Sequence, residues 1–87
     1  MTWRIVYTRQ ARSDAKNIAA SVLRSNVEEL LDIVREDPLR SPPHYEGLTG
    51  DLWGAYSRRI NIQHRLVYQV LEEDRVVKVI RLATHYE

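Results

Sequence analysis

The spacing of apolar residues differs between residues 9–37 and residues 52–82 of this chain, and that difference restricts the folds that it can adopt. In residues 9–37 apolar positions recur every three or four residues, which is typical of amphipathic helices. In residues 52–82 they alternate or form short β-branched runs, which favour strands. Residues 38–51 contain all three prolines and two of the three glycines, so we expect an irregular loop there. The sequence therefore predicts helices first and most of the sheet afterwards.

The helical part contains two predicted helices. Thr8 can cap a first helix over about residues 9–24, because its side-chain oxygen can accept from an unpaired amide. Ser25 or Asn26 is expected to interrupt the chain before a second helix. That helix should end near Asp37, since the residue before a proline disfavours helical geometry. Helices joined so closely are expected to form an antiparallel hairpin.

Four strands complete the prediction. We expect them at residues 2–7, 52–60, 64–71 and 75–82. The last three are joined by short connections, which favours an antiparallel meander. The predicted fold is a single α+β domain over residues 1–87, in the order β-α-α-β-β-β. It has an antiparallel sheet with the helical hairpin packed on one face.

Composition excludes several classes of protein. The 87 residues include no cysteine, which excludes disulfides, iron–sulfur clusters and thiolate zinc sites. Three histidines make an all-histidine metal site unexpected. No apolar run approaches the roughly 18–20 residues that span a bilayer, and the N-terminus alternates instead of forming a signal-peptide core. We expect a cytoplasmic domain with no metal and no cofactor.

The basic residues indicate a local anion site. Net charge is only +1, which is not typical of a general nucleic-acid binder. Eleven of the 13 basic residues are arginines, whose planar guanidinium suits bidentate phosphate binding. Residues 55–69 contain Arg58, Arg59, His64 and Arg65 but no acidic residue. GC-rich coding, which also enriches arginine, and a solvated surface remain open as explanations at this point.

The predicted hairpin between the second and third strands brings two of these arginines together. A turn centred on Ile62 places Arg59 directly opposite Arg65. Like charges in such a pair are unfavourable, which favours an anion bound between them, with two solvated arginines as the alternative. Alternation along the third strand turns Leu66 towards the helices and Arg65 towards the uncovered face. His64 shares the face of Leu66 and is interpreted as a structural histidine.

The sequence resembles the Txe/YoeB branch of the RelE/ParE toxin superfamily. The resemblance covers the whole chain and is strongest over residues 46–68. It depends on the following segments: Glu46-Gly47-Leu48, Leu52-Trp53-Gly54-Ala55-Tyr56-Ser57-Arg58-Arg59-Ile60, His64-Arg65-Leu66-Val67-Tyr68 and His85-Tyr86. Alone, a loop glutamate such as Glu46 or a histidine near a chain end would be interpreted as solvated.

The resemblance implies a function and roles for these residues. Relatives are toxins of type II toxin–antitoxin pairs that enter the ribosome A site and cut the mRNA codon there. Glu46 matches the general base that takes the proton of the ribose 2′-hydroxyl, and His85 matches the general acid that protonates the leaving 5′-oxygen. Arg65 matches the arginine that stabilises the charged phosphorane, and Tyr86 the tyrosine that orients substrate and histidine. Arg59 and Arg58 are expected to bind phosphate or RNA.

The resemblance also implies partners and leaves alternatives. A YefM/Axe-like antitoxin is expected to cover the arginine-bearing face, and a homodimer or a hetero-oligomer bound to operator DNA through the antitoxin is possible. Basic residues common in the family are replaced by His44, Thr49 and Ala83, and tryptophan by Tyr56. A ParE-like gyrase inhibitor, or a catalytically weak component that binds antitoxin as a co-repressor, therefore remains an alternative.

Overall fold

The computed structural model describes residues 2–82. It contains two helices, five strands and a short 3-10 turn at Gly50–Leu52. The elements are β1 (Arg4–Tyr7), α1 (Arg9–Ala19), α2 (Arg24–Glu36), β2 (Tyr45–Gly47), β3 (Ala55–Arg59), β4 (Arg65–Leu71) and β5 (Val76–Leu82). None of the helices in this part of the chain is long and apolar enough to cross a membrane. The predicted α+β class is confirmed.

The strands form one sheet in the order β1-β5-β4-β3-β2. β3, β4 and β5 pair antiparallel, as predicted for the meander. The sheet as a whole is mixed, however, because β1 pairs with β5 in parallel. The prediction of a wholly antiparallel sheet was wrong on this point. Two neighbouring parallel strands need a long connection. Both helices and the other three strands lie between β1 and β5 in the chain and form this connection.

β2 is the strand that the sequence did not predict. Its three residues, Tyr45, Glu46 and Gly47, lie within the proline- and glycine-rich segment and pair with β3. A run this short shows no recognisable alternation, so it was interpreted as irregular loop. Its formation gives Glu46 a fixed register in the sheet, opposite Ser57.

Thr8 begins α1 as predicted. Its Oγ1 accepts from the amide of Ala11 at 3.1 Å and donates to the carbonyl of Ile80 at 3.0 Å. The break between the helices comes earlier than expected, at residues 20–23, where Ser21 Oγ accepts from the amide of Leu23 at 3.1 Å. Ser25 and Asn26 lie inside α2, so the prediction that one of them interrupts the chain was wrong.

The helices pack on one face of the sheet, with α1 lying mainly against β5. The buried cluster joins apolar residues from both layers. Its members are Ala11, Ile18, Val27, Leu30, Val34, Ile60, Leu66, Tyr68, Val77, Val79 and Leu82. Leu66 and Tyr68 face the helices as predicted, which leaves Arg65 available on the other face of β4.

Candidate functional site

The β3–β4 hairpin places two arginines side by side. Arg59 is directly opposite Arg65, as the sequence predicted. The turn is held by the amide of Ile60, which donates to the carbonyl of His64 at 2.8 Å. Asn61 Oδ1 also accepts from the amide of His64 at 2.8 Å. These bonds fix the register, so the fold holds the two guanidinium groups close together despite their repulsion.

Glu46 reaches the same place from the neighbouring strand. Arg65 Nη1 donates to Glu46 Oε1 at 3.5 Å, a long hydrogen bond. The side chains remain 32% exposed for Arg65 and 55% exposed for Glu46. Exposed ion pairs of this kind contribute about 0–1 kcal/mol, because water screens the charges. An anion that binds Arg65 can therefore replace the ion pair with Glu46 at a low cost in free energy.

These side chains surround a cleft of about 330 Å³. It is lined by Pro43, His44, Glu46, Ser57, Arg59 and Arg65. A carboxylate on one side and two permanently charged guanidiniums on the other can together bind a phosphate and accept a proton beside it. The structure thus brings together three of the predicted site residues, Glu46, Arg59 and Arg65. No group of three or more potential metal-ligating side chains occurs within residues 2–82.

Ser57 is a cleft residue to which the sequence reasoning gave no role. It is only 1% exposed, and its Oγ is the one buried side-chain polar atom of the described residues with no hydrogen-bond partner. Its neighbour on β4, Val67, is also fully buried, so this face of the sheet is less open than predicted. Strand alternation could have placed Ser57 beside Arg59 on one face, but nothing in the sequence showed that its hydroxyl lacks a partner.

Arg58 does not belong to the cleft. It is 1% exposed and lies on the helix-covered face of β3, so its predicted role as a phosphate or RNA ligand was wrong. Consecutive residues of a strand point to opposite faces, and Arg59 already occupies the cleft side. The predicted register already implied this, because it sets Arg59 opposite Arg65 and therefore Arg58 opposite Leu66, which faces the helices.

The buried guanidinium of Arg58 holds the segment that leads to Glu46. It donates to the carbonyls of Pro43, Arg40 and Pro38 at 2.7, 2.8 and 3.0 Å. Its Nε donates to the hydroxyl of Tyr68 at 2.9 Å. Three carbonyl dipoles compensate the buried charge, and in return the proline-rich segment is fastened beside the sheet. Arg58 therefore supports the position of β2, on which Glu46 lies.

Tyr68 completes this buried network. Its hydroxyl donates to the carbonyl of Pro38 at 2.7 Å while accepting from Arg58. Burial raises the pKa of Tyr68, which exceeds its ordinary value although the nearby guanidinium lowers it. The phenol therefore stays protonated at neutral pH and keeps its bond to Pro38.

The end of β5 is fixed by a carboxylate on α1. Asp14 Oδ2 accepts from Arg81 Nε and from the amide of Leu82, both at 2.9 Å. Burial alone would raise the pKa of Asp14, but these bonds and one from Gln10 outweigh burial and lower it. Leu82 pairs with Leu66, the residue next to Arg65 on β4. The predicted site residues His85 and Tyr86 lie outside the described residues.

His64 has a structural environment, as the sequence favoured. Its Nδ1 lies 3.0 Å from Asn61 Oδ1, within the β3–β4 turn. The side chain lines a different cavity, of about 250 Å³, between α1 and the end of β5. It is therefore separate from the cleft that contains Glu46 and Arg65.

Solved structures with the same fold are toxins. The YoeB/ParE toxin from Agrobacterium tumefaciens superposes with a TM-score of 0.87 at 27% identity, covering 95% of this chain and 99% of that chain. The YoeB dimer from Staphylococcus aureus gives a TM-score of 0.82 at 32% identity, covering 99% of this chain and all of that one. The fold is therefore that of small bacterial toxins of the YoeB/ParE type.

The sequence comparisons identify the family. A family described as the YoeB-like toxin of bacterial type II toxin–antitoxin systems matches residues 15–86. Toxin YoeB of Streptomyces coelicolor is 32% identical over 80 residues, covering 92% of this chain and 86% of that protein. The chain belongs to the YoeB-like toxins of bacterial type II toxin–antitoxin systems. The resemblance noted in the sequence is thus confirmed.

Proposed function

We propose that this toxin is a ribosome-dependent endoribonuclease that cuts mRNA at the A-site codon. One observation carries the proposal: a carboxylate, Glu46, faces two arginines, Arg59 and Arg65, across one open cleft. RNA cleavage by its own 2′-hydroxyl needs a proton acceptor beside a cationic phosphate site, and this cleft supplies both. Family membership supports the choice of substrate.

The reaction begins with the scissile phosphate between Arg59 and Arg65. Arg65 leaves its long ion pair with Glu46, which frees the carboxylate to take the proton of the 2′-hydroxyl. The 2′-oxygen then attacks phosphorus, and the two guanidiniums stabilise the added negative charge of the phosphorane. Collapse of the phosphorane breaks the bond to the 5′-oxygen and leaves a 2′,3′-cyclic phosphate.

The leaving 5′-oxygen requires a proton, for which we propose His85. Histidine and glutamate can be protonated acid and ionised base together at mildly acidic to neutral pH. His85 follows Leu82 by three residues, and Leu82 ends β5 beside the strand that carries Arg65. Tyr86 is proposed to orient the substrate and the imidazole. No step of this scheme requires a metal ion.

The proposed partner is a YefM-like antitoxin. Staphylococcus aureus YoeB has been solved as a complex with YefM and as a dimer, and it is 32% identical to this chain. An acidic antitoxin segment laid over Arg59 and Arg65 would occupy the phosphate site and prevent cleavage. We propose the same pairing, with a dimer or a toxin–antitoxin hetero-oligomer as the assembly.

The nuclease is tested by mapping mRNA ends on ribosomes programmed with a defined A-site codon. Wild type is compared with Glu46→Ala and His85→Ala, and with Glu73→Ala and His64→Ala as controls of the same residue types outside the cleft. We expect a new end at the A-site codon with wild type and both controls.

Loss of that end in Glu46→Ala and His85→Ala supports both assigned roles. Cleavage that persists in one of these variants contradicts that residue's role. If folded, antitoxin-free wild type gives no new end, the nuclease proposal fails, and inhibition of gyrase is measured next.

A further inference from the structure

The hydroxyl of Ser57 is the unexplained polar group of the cleft. It is buried, it lines the site, and it has no hydrogen-bond partner among the described residues. A buried hydroxyl without a partner destabilises the folded state, and alanine at the same position would avoid that cost. The free protein therefore gains no stability from this hydroxyl. We expect it to form its hydrogen bond when substrate is bound.

Strand register identifies the group that this hydroxyl can reach. Ser57 is directly opposite Glu46 in the β2–β3 pair. Side chains opposite each other on one face have Cβ atoms about 4.5–5.5 Å apart, within reach of a glutamate carboxylate. On its other side Ser57 faces Val67, which is apolar. Arg59 and Arg65 carry donors only, so neither can accept the serine proton.

The existing ion pair explains why the bond is absent in the free protein. β3 lies between β2 and β4, so the pair formed by Glu46 and Arg65 crosses the strand that carries Ser57. While Arg65 holds the carboxylate, Ser57 Oγ makes no hydrogen bond to it. When a phosphate binds Arg65, the carboxylate of Glu46 loses its donor and needs another.

We infer that Ser57 is a positioning residue for the base: its hydroxyl donates to the Glu46 carboxylate once bound RNA phosphate has engaged Arg65. The bond holds the carboxylate towards the 2′-hydroxyl during proton transfer. This inference rests on the proposed function, because it requires Glu46 to act as the base.

Ser57→Ala tests the inference, because it removes the hydroxyl and little else. The matched control is Ser13→Ala, on the exposed surface of α1. Single-turnover cleavage on programmed ribosomes gives a maximal rate and a half-saturating toxin concentration. The urea midpoint of the isolated toxin reports its stability. Hydrogen bonds to charged groups are each equivalent to about tenfold to hundredfold in an equilibrium or a rate.

We expect Ser57→Ala to lower the maximal rate on the order of tenfold to hundredfold. The half-saturating concentration should stay unchanged, since both arginines remain. The urea midpoint should stay equal or rise, because a buried unsatisfied group has been removed. A role in structure alone predicts a lower midpoint and no selective loss of rate.

A second comparison separates this inference from the proposed function. In the Glu46→Ala background, adding Ser57→Ala should cause no further loss, because the hydroxyl acts through the carboxylate. A wild-type rate for Ser57→Ala, or an equal loss in both backgrounds, overturns the inference and leaves the nuclease in place. A wild-type rate for Glu46→Ala overturns the proposed base, and the inference with it.

Discussion

Replacing Arg58 by lysine tests the conclusion that this buried arginine positions the segment that leads to β2 and does not contact RNA. The guanidinium uses four donors, three to backbone carbonyls and one to the hydroxyl of Tyr68. Lysine keeps the positive charge but offers its donors from a single nitrogen, which cannot match a planar fork. We expect one or two of the acceptors to be left without a donor.

The expected loss follows from those acceptors. Each buried acceptor left unpaired costs about 1–3 kcal/mol, so the loss of one or two of these bonds in Arg58→Lys should lower the free energy of unfolding by about 1–6 kcal/mol. A chain of 87 residues has in total about 4–13 kcal/mol of stability, so the loss is a large share of it. At an m-value of about 1 kcal/mol/M, the urea midpoint should fall by about 1 M or more.

The adjacent residue provides the matched control. The side chain of Arg59 is exposed, so Arg59→Lys should change stability by no more than about 0.5 kcal/mol. Unfolding is followed by far-UV circular dichroism in urea. Equal midpoints for Arg58→Lys and wild type, with a selective loss of RNA cleavage, would refute the structural role and restore Arg58 as an RNA ligand.

Two further predictions concern Tyr68 and Asp14. Tyr68→Phe removes the bond to Pro38 and should cost about 1–3 kcal/mol in urea unfolding, whereas an unchanged midpoint would show that this bond contributes nothing. Because burial raises the pKa of Tyr68, the unfolded chain releases this proton first. Stability should therefore fall as pH rises above about 10, and less steeply in Tyr68→Phe. Burial opposes ionisation of Asp14, but the hydrogen bonds of its carboxylate outweigh burial and lower its pKa below 3.8. The ionised carboxylate therefore stabilises the folded state above about pH 4, and this stabilisation is lost as pH falls through the pKa of Asp14 in the folded state. Asp14→Asn should flatten that acid limb in thermal melts, and an unchanged limb contradicts the assignment.

Sequence periodicity predicted the parts of the fold that repeat over several residues. The register that sets Arg59 against Arg65 followed from the centre of one turn, and the structure confirms it. β2 could not be predicted in this way, because three residues among prolines and glycines carry no period. The helix break was misplaced because Ser21, which caps the turn, looks like any exposed serine in the sequence.

The two arginines of β3 show a different limit. Alternation requires one of them to face the helices and the other the cleft, and the predicted register opposite Arg65 already places Arg59 on the cleft side. The sequence does not show how a guanidinium is accommodated on the helix side, because the carbonyls of Pro38, Arg40 and Pro43 meet Arg58 only after the chain has folded. The lack of a partner for Ser57 likewise depends on contacts across three strands, which no local pattern encodes.

The position of β5 determines how late in synthesis the sheet can be completed. β5 lies inside the sheet between β1 and β4, although it is the last strand within residues 2–82. The side chain of Thr8 bonds to Ile80, 72 positions later. A nascent or truncated chain that stops before Val76 leaves β1 without its neighbour and the apolar faces of both helices without β5. Such a fragment carries Glu46, Arg59 and Arg65 but not the complete sheet that aligns them. We therefore expect a polypeptide that stops before Val76 to lack activity, because the sheet that aligns these side chains is incomplete.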